Sequence, residues 1–121
     1  MRAKVLFAED QASIRQLFTE LLHREGLGVT SCGSAREACQ QLADHRFDLV
    51  ITDIRMETTR AGYDVVRTAQ KLRPAPPVII LTAFPIAPAD LRGLDIAAIL
   101  MKGTDIRGLL NCIREIVKNV A

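Results

Sequence analysis

Five polar residues stand where short apolar runs end. Glu9 and Asp10 follow "KVLFA", Asp53 follows "LVIT", Thr82 closes "VIILT", and Lys102 comes directly after "AAILM". If those ends meet on one edge of a sheet, three carboxylates share a cleft. Two carboxylates about 5 Å apart repel by roughly 3 kcal/mol at an effective dielectric near 20, against a domain stability of about 5–15 kcal/mol. The cluster therefore needs a proton, the Lys102 ammonium or a hard cation, and oxygen-only ligands with room for water suit Mg²⁺. Any one of the five is unremarkable as a solvated strand-end residue. It is the register of all five with apolar runs that argues for a common site.

The elements that would position them are legible as two alternating periods. Strand-length apolar runs cover Lys4–Ala8, Gly28–Cys32, Leu49–Thr52, Val78–Thr82 and residues 97–101. Their nearly continuous apolarity predicts strands covered on both faces, hence a parallel sheet. Helical spacing lies between them. The first helix is predicted at about residues 13–25, with Ile14, Leu17, Phe18, Leu21 and Leu22 inward and Gly26 as its stop. The second starts at "SARE", where Ser34 and Glu37 have capping-box spacing. The third covers about residues 63–72, with Val65, Val66, Ala69 and Leu72 inward. The fourth is cut by Pro85, Pro88 and Gly93 to two turns starting near Pro88. The fifth runs from a Thr104 cap through Ile106, Leu109, Leu110, Ile113, Val117 and Val120. Five βα units with right-handed crossovers make a doubly wound (βα)5 sheet, whose sites form at the carboxyl ends of its strands.

Composition narrows the class. A length of 121 residues fits one domain, and 49 % hydrophobic with 25 % charged residues describes a globular, soluble chain. The net charge of +2 is too small to argue for nucleic acid. Cys32, Cys39 and Cys112 are odd in number and lack C-x-x-C spacing, so neither a disulfide framework nor a zinc ribbon is indicated. They read as small reduced core residues, which with the lack of a signal peptide or membrane span predicts a cytoplasmic location. His23 and His45 have no partner at ligand spacing and read as surface residues. The G-x-G of "EGLGV" follows a helix rather than a strand and reads as a helix stop.

With Glu9-Asp10, "VITDIRM", "ILTA" and "ILMK" in place, the sequence resembles the receiver domain of two-component response regulators over essentially its whole length. The resemblance implies a flavodoxin-like fold with strand order 2-1-3-4-5 and a single receiver domain over residues 1–121 without an output domain. It also implies a signalling module rather than an enzyme. Asp53 would accept a phosphoryl group from the phosphohistidine of a sensor histidine kinase or histidine phosphotransfer protein, and a downstream protein would read the result. Mg²⁺ would be held by Asp10, Asp53 and the backbone carbonyl of Arg55, with Glu9 acting directly or through water. Lys102 would pair with the carboxylate and then the phosphoryl group, and the Thr82 hydroxyl would donate to a phosphoryl oxygen. Neither nucleic acid nor membrane is an expected partner.

The sequence departs from that family in three places. Met56 is followed by Glu57 where receivers usually carry proline, and the glycine that should follow arrives a residue late, at Gly62. Lys102 precedes Gly103 instead of a cis-proline; a cis bond without proline costs about 2.5–4 kcal/mol, so a trans Lys102–Gly103 bond is predicted. Ile99 occupies a position that is normally aromatic. Arg55 reads either as a neighbour of the acceptor or as a solvated charge, and Phe84 either as a rim residue or as packing. These departures motivate a second reading, a receiver-like interaction module that works without phosphorylation. Two other readings are weaker: a flavin-binding flavodoxin would need a phosphate cradle where this chain has the anionic "AEDQAS", and an aspartyl-phosphate hydrolase would need D-x-D after the first strand.

Overall fold

A computed structural model of the protein describes residues 2–103 and 106–118. Five strands, β1 (Lys4–Ala8), β2 (Gly28–Cys32), β3 (Leu49–Thr52), β4 (Val78–Thr82) and β5 (Ala98–Met101), form one sheet in the order β2-β1-β3-β4-β5. All four neighbouring pairs are parallel. Four helices connect or follow them: α1 (Ala12–Arg24), α2 (Ala35–Asp44), α3 (Ala61–Gln70) and α4 (Ile106–Val117). The predicted doubly wound sheet and its strand order are therefore present.

Strand alternation divides the core in two. Leu6, Ala8, Val50, Val78 and Ile80 face α2 and α3, meeting Ala38, Leu42, Val65 and Val66. Val5, Phe7, Leu49, Ile51, Ile79 and Leu81 face the other way, onto Leu22 of α1 and Leu109 and Ile113 of α4. Phe7 meets Phe18 edge to face, with ring centroids 6.1 Å apart. The three central strands are covered on both sides, as continuous apolarity implies. The edge strands β2 and β5 are not, and their residues are mostly half-buried.

Several details differ from the sequence reading. The predicted fourth helix is a single 3-10 turn, Pro88–Leu91, because Pro88 can start a turn while Gly93, with φ of 74°, ends it at once. The helix predicted as the fifth is thus α4; its proposed Thr104 cap and the Val120 position lie outside the described residues. Leu17 is on the outer face of α1 and 55 % exposed, since at 100° per residue it falls off the stripe that presents Leu22 to the sheet. Helix α3 starts two residues early and ends at Gln70, leaving Leu72 packed against the core from the following turn. Ser34 accepts from the Glu37 N–H at 3.1 Å, but Glu37 turns back to Gly33 rather than Ser34, so the capping box is only half made. Cys32 is buried, whereas Cys39 of α2 and Cys112 of α4 are half-buried and pack against the core from its edge. Among the described residues, no helix is long and apolar enough to cross a membrane.

Candidate functional site

The site is built by extending the strand ladders one residue past their ends. The Glu9 N–H donates to the Cys32 carbonyl at 3.0 Å and the Asp53 N–H to the Ala8 carbonyl at 3.1 Å. On the far side, the Lys102 N–H donates to the Thr82 carbonyl at 2.7 Å. Because Ala8 is in register with Thr52, the residues that follow, Glu9 and Asp53, come out side by side. Parallel pairing thus delivers the acids and the cation to one edge.

There Glu9, Asp10 and Asp53 each place a carboxylate oxygen within 4.8 Å of the others. Glu9 is fully buried, Asp53 nearly so, and Asp10 is exposed. Lys102 Nζ forms an ion pair with Glu9 Oε1 and donates to Asp53 Oδ2 at 2.6 Å. The remaining Asp53 oxygen accepts from the Ile54 N–H at 2.7 Å, and Glu9 Oε2 accepts from the Gln11 N–H at 3.1 Å. Burial pushes the Glu9 carboxyl above the usual range, and neighbouring Asp53 adds to this, while Lys102 and the Gln11 N–H pull against it. For Lys102 burial works downward, but the hydrogen bonds to Asp53 and Glu9 win and raise its pKa. Of the three remedies for repulsion, this arrangement uses the ammonium. The oxygens it bonds are also those a hard cation would need, and all the ligands are carboxylates, so the donor set fits Mg²⁺.

Two arginines act next to these residues, one on the backbone of the acidic turn and one at the cleft. Arg15 Nη1 donates to the Glu9 carbonyl at 2.7 Å and the Asp10 carbonyl at 3.3 Å, fixing the turn that presents both acids. Sequence reasoning did not single out Arg15; its place one turn beyond the acidic pair was the only signal. Arg55 stacks on the Phe84 ring, its guanidinium carbon 3.9 Å from the centroid. Phe84 is 49 % exposed, so of its two readings the rim is the one observed. Both residues line an open cleft of about 490 Å³ together with Asp10, Asp53, Met56 and Lys102. The Thr82 hydroxyl is engaged elsewhere, paired at 3.2 Å with both the carbonyl and the N–H of Phe84.

The departures resolve into specific contacts. Lys102–Gly103 is trans, and Gly103 takes φ of 83°, a left-handed conformation natural to glycine. Lys102 reaches the acids nonetheless. Gly62 is needed because the first turn of α3 crosses the end of β3 at contact distance: its N–H donates to the Ile54 carbonyl at 2.8 Å, and a Cβ there would sit 2.0 Å from the Asp53 carbonyl oxygen. Glu57, where receivers usually have proline, bonds the start of α2, its two oxygens accepting from the Ala35 N–H at 2.8 Å and the Arg36 N–H at 2.9 Å. Partial burial works against ionisation, but these N–H groups outweigh it and hold the Glu57 carboxyl below its usual range. The loop after Asp53 is thereby tied to a different helix.

That tie predicts a measurable cost. Glu57→Gln sets an amide NH₂ against a backbone donor and is expected to lower stability by about 1 kcal/mol, the usual scale for a lost cap. A group with a lowered folded pKa stabilises above its unfolded value of 4.5 and loses that contribution as the pH falls. Urea melts of the two proteins should therefore differ most above that pH and converge in acid. A constant difference across the range would mean that the charge is not involved.

Comparison with known proteins fits this geometry. The description "Response regulator receiver domain" matches residues 5–114. The transcriptional regulatory protein PdtaR of Mycobacterium tuberculosis is 39 % identical over 82 residues, covering 67 % of this chain and 39 % of that protein. The response regulator protein PilR of Pseudomonas aeruginosa is 36 % identical over 83 residues, 69 % of this chain and 18 % of that one. The chain thus spans well under half the length of these two relatives. Among solved structures, a CheY-like receiver domain protein from Methanospirillum hungatei superposes with a TM-score of 0.88 at 22 % identity, covering 98 % of this chain and 95 % of that one. Response regulator TrrA from Thermotoga maritima, solved in complex with Mg²⁺-BeF, superposes at 0.84 with 26 % identity, covering 96 % and 99 %.

Proposed function

Because the chain belongs to the response regulator receiver domain family, we propose that it accepts a phosphoryl group on Asp53 from a phosphohistidine and passes the signal on through altered protein contacts. The donor would be a sensor histidine kinase or a histidine phosphotransfer protein, and the reader a downstream protein. All 121 residues are assigned to this one receiver domain. The observation that carries the reading is the Asp53 carboxylate, held at the mouth of the cleft between the Lys102 ammonium and the Ile54 N–H.

An Asp53 oxygen attacks phosphorus, the P–N bond to the donor imidazole breaks, and the electron pair leaves on the ring nitrogen, producing an acyl phosphate. Mg²⁺, held by Asp10, Asp53 and the Arg55 carbonyl with help from Glu9, would supply positive charge to the phosphoryl oxygens. Lys102 gives up its bond to the ionised Asp53 and pairs with the phosphoryl group. Thr82 must leave Phe84 to donate to a phosphoryl oxygen, and that exchange couples the acceptor to the surface bearing Phe84 and Ile99. The ion pairs of Lys102 to Glu9 and Asp53 speak against a module that works without phosphorylation, since they hold buried charges in the arrangement transfer needs.

A small-molecule phosphodonor such as acetyl phosphate, with Mg²⁺, is expected to add one phosphoryl group by mass spectrometry. Asp53→Asn should abolish the addition. Labelling that persists in Asp53→Asn would overturn the assignment of the acceptor, and wild-type protein that never labels would return weight to the phosphorylation-independent module.

A further inference from the structure

The amino ends of the strands, opposite the acidic cleft, gather a group of basic side chains around one groove. A groove of about 520 Å³ opens there between α1, α2 and the edge strand β2, and five basic side chains line it: Arg2, Lys4, His23, His45 and Arg46. Among the described residues, no carboxylate lines it. None of the five side chains is in an ion pair or hydrogen bond with a described residue, whereas Arg60, Arg67, Lys102, Arg114 and Lys118 all pair with acids. Asp48, just before β3, accepts from the Lys4 backbone N–H at 2.8 Å, and Asp44 ends α2 beside His45 without lining the groove. His23 and His45 sit at the carboxyl ends of α1 and α2, where the helix dipole favours positive charge. Arg2, Lys4 and Arg46 lie outside any helix, so that rationale does not account for them.

The groove has an apolar component as well. Val29 and Phe47 contribute to its wall, and both pack against the core from partly exposed positions. Its β2 wall is the outer edge of the sheet, where backbone groups have no strand partner and are free to bond a ligand. Its volume falls within the range of small-molecule sites and well above what one phosphate fills.

We propose that this groove binds a small ligand of nucleotide size that bears two or more phosphates, with Arg2, Lys4 and Arg46 meeting the phosphates and Phe47 the ring. Guanidinium groups pair with phosphate oxygens in a bidentate fashion, and an aromatic face accepts a planar base. The site is separate from Asp53 and does not depend on it. A net charge of +2 over the whole chain does not reveal it, because acids elsewhere in the sequence offset these basic residues.

The test is an amide NMR titration of the whole chain with ADP in the presence of EDTA, so that no divalent ion loads the acidic cleft. Saturable shifts are expected at residues 28–30 and 45–47 and none at Asp53. Pyrophosphate should bind more weakly than ADP, and Lys4→Glu with Arg46→Glu should weaken ADP by about tenfold or more. Arg46→Ser alone serves if the double variant does not fold. Absence of saturable shifts at millimolar ADP overturns the proposal, as does equal affinity for pyrophosphate and ADP or unchanged affinity in the charge variants. Tighter binding of polyglutamate or a single-stranded oligonucleotide than of ADP would likewise overturn it in favour of a macromolecular surface.

Discussion

Lys102→Met is expected to lower stability by roughly 3–5 kcal/mol in the absence of divalent ions, the scale for removing one member of a buried charge pair. Lys102 is the cation that pairs with both Glu9 and Asp53, and Glu9 has no access to water. Methionine keeps most of the side-chain volume, so lost packing contributes little and the change reads as charge. The pH response follows in sign. Burial raises the folded pKa of Glu9, so its share of stability is fully present below the unfolded value of 4.5 and is lost as the pH rises through the folded one. Without Lys102 that loss should deepen, and the variant should be closest to wild type in mild acid.

The same substitution should change metal affinity in the opposite direction. The ammonium occupies oxygens of Glu9 and Asp53, so removing it frees them and leaves three carboxylates uncompensated. Lys102→Met is expected to gain more thermal stability from millimolar Mg²⁺ than wild type does, while its labelling by a phosphodonor falls. Thermal melts with and without Mg²⁺ check the first result. Equal Mg²⁺ stabilisation of the two proteins would mean that the ammonium and the ion do not share ligands.

Gly62→Ala is expected to lose about 3 kcal/mol or more, although substitution of glycine by alanine inside a helix ordinarily gains about 1 kcal/mol. The new Cβ would stand 2.0 Å from the Asp53 carbonyl oxygen and 2.6 Å from the Ile54 Cα, and both are backbone atoms that cannot rotate aside. Steric overlap decides the sign. Relief requires α3 to lift from the end of β3, which also displaces Asp53, the proposed acceptor, so its labelling should fall along with the denaturation midpoint. Gly108→Ala is the control: it sits in α4 with nothing within 4 Å of its Cβ position, and it should be neutral or stabilising. A destabilised Gly108→Ala beside an unaffected Gly62→Ala would overturn the steric account.

Much of this architecture was legible because it is local. Apolar runs mark the strands within a residue, and the spacing of Ile113 from Leu109 places α4 on the sheet. The acidic cluster was legible for a different reason: polar residues directly after buried runs must emerge at strand ends, and parallel strands emerge on the same side. Leu17 misled because an apolar residue near the buried stripe of a helix is not thereby on it. The Pro88 turn was overestimated, since proline starts a helix but supplies no contacts to continue one. Arg15 and Glu57 carry no pattern of their own; each matters through backbone groups that are distant or turned away in the sequence.

From the sequence by itself follow the order of elements, the parallel sheet and the convergence of Glu9, Asp10, Asp53, Thr82 and Lys102, because hydrophobic period and strand direction are properties of short segments. Tertiary structure alone decided the rest. It set which carboxylates Lys102 neutralises, that Glu57 caps α2, that no side chain but hydrogen fits at residue 62, and that basic side chains of three segments gather around one groove. Each of these depends on distances between segments, which folding sets and local composition does not encode.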